Sequence, residues 1–320
     1  MKNFFIKQTF SNFVEMAEAL HLWNIEIRQL KKCTINDTVM QLKVENFLLG
    51  YAEFSGLTHQ IGEIPPGRTF AFYTGENSKF LWRKKEIPYN GLLIFPLDTE
   101  LDVVVEGTKT IPHTISFPEE ELISRLQENE RALYETIVST NDLILMDESA
   151  MEKLHEVFDR YMQSAEEDPD LIHSKNFYTC LKEELISVLI EILFSEESSD
   201  IPKAKDQMVL YWDRVESYIE THKSRPIMIS ELSKAVGVGE RSLYRMFNDR
   251  FLLTPKAYLN TLRLNGVKND LTNTSSSEKT IADIANNWGY WHMGQFAADY
   301  KKLFGELPSH TFSKGHLQCH

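Results

Sequence analysis

Two arginines spaced four residues apart carry side chains suited to binding nucleic acid. Arg241 and Arg245 lie in a segment where three apolar residues also recur every four positions: Leu243, Phe247 and Phe251. In a helix these apolar residues form one stripe, and the arginines lie on other faces. A guanidinium group hydrogen-bonds guanine O6 and N7 or holds a phosphate. Arg241 and Arg245 are therefore the strongest candidates for DNA contacts, with Ser242 and Tyr244 next. Taken alone, two arginines on a helix are more often a solvated face, so the DNA role depends on the motif that contains them.

A second group of candidate contact residues follows between His292 and Leu303. Three aromatic residues again recur every four positions and are predicted to be core: Phe296, Tyr300 and Phe304. The residues left for a groove or its edge are His292, Met293, Gly294, Gln295 and Ala298. Only His292 and Gln295 offer hydrogen-bonding side chains near the helix start, so we expect weak direct reading of bases. Lys301 and Lys302 are candidates for phosphate contacts or ordinary surface lysines.

The rest of the chain carries no residue pattern that predicts catalysis or metal binding. It has no Gly-rich phosphate loop, GxSxG elbow or HExxH helix. His59 and His113 each lack a close histidine in the sequence, and three histidines in the tail have no plausible metal spacing. Cys33, Cys180 and Cys319 are widely spaced and predict neither a disulfide framework nor a zinc site. We expect no catalytic residue, no metal and no cofactor.

The two groups of candidate residues lie in two copies of one repeat. Residues 229–255 match residues 281–308, with an offset of 52 positions that becomes 53 in the second half. Each copy predicts a short helix, a turn at Gly237 or Gly289, and a longer helix, which is the layout of a helix-turn-helix. Thr280 with Asp283 predicts a capping box, and a proline at position 255 predicts the start of a helix over residues 256–271 that joins the copies.

Two such motifs joined by one helix resemble the DNA-binding region of the AraC/XylS family of bacterial transcription regulators. The resemblance covers residues 207–313 and is most specific in the segment GYWHMGQFAADYKKLFGELPS. It implies that two recognition helices enter successive major-groove segments on one face of double-stranded DNA. It also implies an activator with RNA polymerase as a partner, and it places groove-facing residues at Arg241, Ser242, Tyr244 and Arg245. The family often has an arginine where Ala298 stands, so the second helix departs from the pattern.

The formal charge of the chain is distributed unevenly along the sequence. The total of −13 would argue against an anionic partner. Residues 1–202, however, hold 18 Lys and Arg against 35 Asp and Glu, a charge of −17, whereas residues 203–320 hold 16 against 12, a charge of +4. This partition predicts that DNA contact is confined to the C-terminal part. No apolar run reaches the roughly 18 residues that cross a bilayer, so we expect no membrane partner and a cytoplasmic protein.

The first half of the chain has the pattern of short strands followed by long helices. Apolar runs at residues 39–44, 70–73, 92–95 and 101–105 are separated by turn signals, among them Glu106-Gly107, and predict an antiparallel sandwich or barrel. Residues 1–22 are interpreted as an arm with a short helix. Beyond position 118, apolar stripes predict helices that cover the β-rich part or form a homodimer interface. The stripes are Leu122, Leu126, Leu133 and Ile137, and Leu181, Leu185, Val188, Leu189 and Ile192.

We therefore predict an α+β protein with four parts. Residues 1–118 form a β-rich sensor or effector domain, residues 119–194 a helical dimerisation or covering segment, residues 195–206 a linker, and residues 207–320 the all-α domain with two helix-turn-helix motifs. The first part resembles the small cupin-like β-barrel of ethanolamine-utilisation-regulator-like members through QLKKCTINDTVMQLKVENFLLGYAEFSGLTHQIGEIPPG. Such a barrel holds one small ligand, so a small-molecule effector is expected, although its identity is not readable.

Two alternative functions remain open from the sequence. The first is an interaction or assembly protein that keeps the helix-turn-helix fold without reading DNA, which Ala298 and the modest charge of +4 favour. The second is an enzyme built on the β-barrel, which the absence of a catalytic motif disfavours.

Overall fold

The chain forms two compact units, and each unit is built from separate stretches of sequence. The computed structural model describes residues 2–75, 77–83, 85–195, 200–202, 207–274 and 279–318. The first unit comprises Met1–Glu26, Ile35–Ser55 and Ile61–Ala204. The second comprises Ile27–Thr34, Gly56–Gln60 and Lys205–His320. Two short pieces of the β-rich half of the sequence therefore belong to the helical unit.

The described elements are strands in the first half and helices in the second. The strands are β1 Phe4–Phe10, β2 Asn24–Gln29, β3 Asp37–Val44, β4 Phe47–Ala52, β5 Phe54–Glu63, β6 Arg68–Thr74, β7 Lys79–Trp82, β8 Lys85–Ile87, β9 Gly91–Ile94, β10 Glu100–Phe117, β11 Asn141–Leu145 and β12 Asp200–Pro202. The helices are α1 Phe13–Ala19, α2 Glu120–Ile123, α3 Glu128–Thr140, α4 Glu148–Glu167, α5 Lys175–Leu193, α6 Gln207–His222, α7 Ile229–Val236, α8 Glu240–Phe251, α9 Pro255–Asn273, α10 Ile281–Asn287, α11 Met293–Phe304 and α12 Pro308–Gln318, with a 3-10 helix at Pro169–His173.

The first unit is organised around the long strand β10. The antiparallel order is β1-β3-β4-β10-β6-β9-β11-β12. The C-terminal half of β10 pairs with β4 and β6, with His113 opposite Tyr51 on one side and opposite Phe72 on the other. Its N-terminal part pairs with β7, where Val103 lies opposite Trp82. Short strands at the predicted runs are confirmed, but the predicted turn at Glu106-Gly107 is wrong, because β10 continues through it.

Helices α4 and α5 bury their apolar stripes against one face of this sheet. Phe158 of α4 and Leu185 of α5 belong to the same fully buried cluster as Phe70, Phe72 and Ile115 of the sheet. Alternate residues of a strand point to the same face, which is why positions 70 and 72 both meet the helices. The helices therefore cover the β-rich part, which was one of the two predicted arrangements; pairing with a second subunit stays a prediction.

Several local predictions in the first unit are wrong. Leu133 is 50% exposed, and the neighbouring Tyr134 is buried in its place and donates a hydrogen bond to Glu119. The predicted arm is largely β1, which pairs with β3. The short helix predicted with it is confirmed as α1, which begins after the capping residue Asn12. The helical segment is interrupted by β11, which joins the sheet beside β9. These elements were missed because pairing with distant strands decides them, not local propensity.

The linker prediction falls largely outside the described residues, at positions 196–199 and 203–206. The three residues between those gaps form the short strand β12, which pairs with β11. Sheet-rich structure followed by a helical C-terminal part confirms the α+β class. Closure of the sheet into a cupin-like barrel stays a prediction, and so do the domain boundaries.

Two predictions about special sites can be compared with the described residues. Neither Cys33 nor Cys180 forms a disulfide, and Cys319 lies outside the described part of the chain. His113 has a spatial neighbour that sequence spacing did not show, because the ring of His155 lies 5.6 Å away. Within the described ranges, no group of three His, Cys, Asp or Glu side chains is placed to hold a metal ion.

No described helix has the length and apolar character of a transmembrane span.

Candidate nucleic-acid interface

The first helix-turn-helix consists of α7 and α8 with three residues between them. Gly237 ends α7 with φ +80°, a left-handed conformation that glycine adopts without a Cβ clash. Helix α8 buries one stripe made of Leu243, Met246, Phe247, Arg250 and Phe251. The predicted apolar stripe is thus confirmed, and Met246 and Arg250 extend it. Burial of this stripe fixes which residues of α8 face outward.

The outward face of α8 carries the predicted contact residues. Arg241, Tyr244 and Arg245 are exposed, and Ser242 is half-buried. Asn248, seven residues after Arg241, is also exposed and lies on the same side of the helix. The helix therefore presents two guanidinium groups, a phenol and an amide to solvent on one surface. Such a surface offers bidentate donors for guanine and a donor-acceptor pair for adenine.

Helix α6 packs across the first motif. Trp212 of α6 has its ring 5.1 Å from that of Phe247 and 5.5 Å from that of Phe251. Arg250 is 5% exposed, forms an ion pair with Glu216 of α6 and stacks its guanidinium 4.6 Å from the Trp212 ring. Arg250 is therefore a packing residue, unlike the exposed arginines on the same helix.

An exposed polar cluster surrounds the start of α7. Glu231 in its first turn accepts hydrogen bonds from Arg225 and from the Tyr218 hydroxyl. The Arg225 hydrogen bond, followed by that of Tyr218, lowers the pKa of Glu231 to about 2. Glu231 therefore stays negatively charged at neutral pH. Its charge also lies at the helix N-terminus, where the helix dipole favours an anion.

The second helix-turn-helix repeats this layout with α10 and α11. Helices α7 and α10 begin 52 residues apart, and α8 and α11 begin 53 apart, which confirms the offset of the repeat. Thr280 and Asp283 form the predicted capping box at the start of α10. Phe296, Tyr300 and Leu303 are buried in the second motif, whereas the predicted core residue Phe304 is half-buried and packs against that cluster.

The exposed face of α11 has few hydrogen-bonding groups. His292, Gln295, Ala298 and Lys301 are exposed. The Gln295 side chain donates to Asp299 on the same helix at 2.8 Å. Met293, predicted to face the groove, is instead half-buried and packs against the core of the second motif. This surface therefore offers few groups that could hydrogen-bond a base, and Lys301 adds an exposed positive charge to it.

Trp291 lies between the two helices of the second motif, two residues before α11 begins. It is 71% exposed and therefore does not belong to the core of the motif. An indole with this exposure at the start of a recognition helix has a flat face available for a sugar or base edge. Together with Asn248, Trp291 extends the candidate surface. The exposure of Trp291 depends on tertiary packing, so the spacing of apolar residues in the sequence does not predict it.

The joining helix α9 holds the two motifs together. Thr254 caps its start through the Ala257 amide and Pro255 follows in the first turn, as predicted. Trp288 lies against the backbone of α9 at Gly266, where any side chain would overlap its ring. The Trp288 Nε1 donates to Asp270 Oδ2 at 2.7 Å, which fixes the orientation of the indole. Helix α9 thus anchors the turn of the second motif.

Comparison with known proteins matches the same part of the chain. A family model described as a helix-turn-helix domain matches residues 232–314. The XylDLEGF operon transcriptional activator 2 of Pseudomonas putida is 34% identical over 108 residues, which are 34% of this chain and 69% of that protein. The XylDLEGF operon transcriptional activator of Pseudomonas putida is 33% identical over 127 residues, 40% of this chain and 39% of that protein.

A solved structure of a probable AraC family transcriptional regulator from Rhodopseudomonas palustris is 31% identical. The match covers 33% of this chain and 96% of that one, with a TM-score of 0.30. The similarity in sequence to these three proteins is therefore confined to about a third of the chain, or two fifths at most. The matched family model spans both helix-turn-helix motifs and the helix that joins them.

Proposed function

Because this chain belongs to the AraC/XylS family of transcription regulators, we propose that it reads successive major-groove segments of double-stranded DNA with helices α8 and α11. The observation that carries the proposal is the exposed surface of α8, where Arg241, Tyr244 and Arg245 project beside a fully packed helix-turn-helix core. A rigid core is what a reading helix requires, because base-edge hydrogen bonds depend on register.

The two recognition helices have different roles in this proposal. Helix α8 supplies direct readout through Arg241 and Arg245, with Ser242 and Tyr244 at its edge. Helix α11 supplies positioning, with Lys301 on a phosphate and His292 and Gln295 near the groove edge. Exposed Ala298 offers no hydrogen bond, which supports this division of labour.

The β-rich unit controls this activity in our proposal. A cupin-like barrel would bind a small-molecule effector, and the chain would form a homodimer. The chain would act in the bacterial cytoplasm as an activator that contacts RNA polymerase. The excess of acidic residues in positions 1–202 supports the assignment of DNA contact to the second unit alone.

Selection of binding sites from a random DNA pool, followed by gel shifts, tests the proposal. We expect the full chain to enrich a defined sequence and to bind it with a steep dependence on salt. Arg245→Ala should weaken binding to the selected site by about 1–3 kcal/mol and relax the preference at one base position. Binding to random DNA should fall much less.

Arg160→Ala is the matched control, because it removes the same charge from an exposed arginine on α4. It should leave site binding unchanged. If the chain enriches no DNA sequence and binds no fragment in a salt-dependent way, the interaction-protein alternative is favoured instead.

A further inference from the structure

A short two-stranded ribbon belongs to the DNA-binding unit although it comes from the β-rich half of the sequence. We define the ribbon as residues Ile27–Thr34 and Gly56–Gln60. Strands β2 and β5 pair, and within the ribbon the Leu30 amide donates to the Leu57 carbonyl at 2.9 Å. Arg28, Gln29 and His59 of the ribbon are all at least 94% buried. Polar side chains at this depth require partners, and each of these three residues has a partner on α9 or α11.

One end of the ribbon is joined to the middle of α9 by a paired set of hydrogen bonds. The Gln29 amide donates to Asn265 Oδ1 at 2.9 Å, and Asn265 Nδ2 donates to the Gln29 carbonyl at 2.9 Å. The Asn265 side chain thus pairs with the backbone of Gln29 in the way a neighbouring strand would. This geometry is specific for an amide, because both a donor and an acceptor are used.

The backbone of Gln29 pairs with α9, and its side chain contacts the second recognition helix, α11. Its Nε2 donates to the Leu303 carbonyl at 3.1 Å and to the Lys31 carbonyl at 3.0 Å. Leu303 lies in the last turn of α11, where carbonyl groups have no partner within the helix. Gln29 therefore ties the C-terminal end of α11 to α9 through the ribbon.

The other contact region of the ribbon faces the first recognition helix. The Tyr258 hydroxyl lies 3.0 Å from His59 Nδ1 and 3.4 Å from Arg28 Nη1. The His59 ring is 4.9 Å from that of Phe251, the last residue of α8, and Phe251 stacks on Tyr258 at 3.9 Å. Tyr258 and Asn265 are seven residues apart on α9, so they lie on one face about 10 Å apart.

We infer that the ribbon fixes the spacing of the two recognition helices, with Gln29 as the positioning residue for α11 and His59 as the positioning residue for α8. The inference rests on the proposed function, because spacing matters when both helices enter one DNA site. Successive major-groove segments on one face of DNA are about 34 Å apart, so a displaced helix loses its register. A segment of the β-rich half is thereby part of the reading apparatus.

The first test measures the spacing in the full chain without DNA. Spin labels at Asn248→Cys and Lys302→Cys, both exposed, report the distance between α8 and α11. The three native cysteines are replaced by serine in this background. We expect Gln29→Met, which keeps the side-chain length but removes the donor, to broaden or shift the distance distribution. Gln163→Met on an exposed face of α4 is the matched control and should leave it unchanged.

The second test uses the DNA site selected by the wild-type chain. Mapping the phosphate contacts along that site by ethylation interference, we expect Gln29→Met to weaken binding roughly tenfold and to lose contacts in the half of the site that the second motif covers. His59→Leu should lose contacts in the half that the first motif covers. A loss confined to one half of the site indicates that one recognition helix is displaced. General destabilisation of the fold would weaken the contacts in both halves equally.

The outcomes distinguish the inference from the proposed function. An unchanged label distance in Gln29→Met, or equal loss at both halves of the site, overturns the inference. If the wild-type chain selects no DNA, the proposed function fails, while the label distance still decides whether the ribbon sets the spacing. Gln29→Asn, which keeps the amide but shortens its reach, provides the same label measurement if Gln29→Met does not fold.

Discussion

His113 on β10 is a histidine held in a dense aromatic environment. Its ring stacks on Phe72 at 4.8 Å, and the rings of Phe158 and His155 meet it edge-on at 5.0 Å and 5.6 Å. Tyr51 approaches at 5.4 Å from β4. Burial, with a smaller contribution from the nearby His155, lowers the pKa of His113 to about 3. The folded chain therefore favours the neutral imidazole.

This shift predicts a loss of stability in mild acid. Between pH 6.5, near the pKa of His113 in the unfolded chain, and its folded pKa of about 3, the imidazole is protonated in the unfolded chain but neutral in the folded one. The free energy of unfolding is therefore highest above about pH 6.5 and falls as the pH drops below it. The fall is about 1.4 kcal/mol for each pH unit below that point. Urea unfolding of the first unit at pH 7 and pH 5, followed by circular dichroism, should show a clearly shallower pH dependence in His113→Phe. Parallel pH profiles for the two proteins would contradict the assignment.

The three arginines of α8 show what residue type alone can and cannot predict. The four-residue spacing of apolar residues placed Arg241 and Arg245 on the exposed side, and the structure agrees. Arg250 is buried because Glu216 and Trp212, more than thirty positions earlier in the chain, neutralise and stack on its guanidinium. Charge pairing of this kind is a tertiary property, so the sequence did not separate a packing arginine from a reading arginine.

At the scale of elements, the contact between α9 and the turn of the second motif requires a glycine at position 266 of α9. A Cβ at Gly266 would overlap the Trp288 ring, whose position is fixed by its hydrogen bond to Asp270. Overpacking costs about 1–3 kcal/mol, whereas alanine returns only about 0.5–1 kcal/mol of helix propensity. Gly266→Ala should therefore lower the free energy of unfolding of the second unit.

Gly294→Ala is the matched control for this prediction. Gly294 lies near the start of α11, and no neighbouring heavy atom lies within 4 Å of a Cβ built there. The change should be neutral or stabilising by up to about 1 kcal/mol. Thermal unfolding followed by far-ultraviolet circular dichroism compares the two variants. Equal midpoints for Gly266→Ala and Gly294→Ala would show that Trp288 moves aside at no cost.

The elements that the sequence predicted best are those decided by local signals. Helices α6 to α11 follow from four-residue apolar spacing, the Thr280 capping box and the turn at Gly237. The strands β1, β2 and β5 were missed, because their partners lie far away in the sequence or on α9. The ribbon is the clearest case: pairing of Gln29 with Asn265 joins residues 236 positions apart. No local pattern encodes a contact at that separation.

At the scale of the whole molecule, the formal charge is divided unevenly along the chain, and we expect this to affect the approach of DNA. The total of −13 combines −17 in residues 1–202 with +4 in residues 203–320. Helices α3 and α4 of the first unit expose several of these carboxylates, including Glu135, Glu152 and Glu156. Repulsion between exposed charges extends about 30 Å at 0.01 M salt but only about 10 Å at 0.1 M. The acidic unit therefore opposes nonspecific binding most strongly at low salt.

Neutralising part of this charge should raise nonspecific affinity without altering the reading surface. The triple variant Glu135→Gln, Glu152→Gln and Glu156→Gln should bind random-sequence DNA severalfold more tightly at 0.01–0.02 M salt, with the difference vanishing near 0.3 M. Fluorescence anisotropy across a salt series measures both limits. The same three positions changed to aspartate keep the charge and should match the wild type. Equal low-salt affinity in the glutamine variant would mean that the field of these three carboxylates does not reach bound DNA.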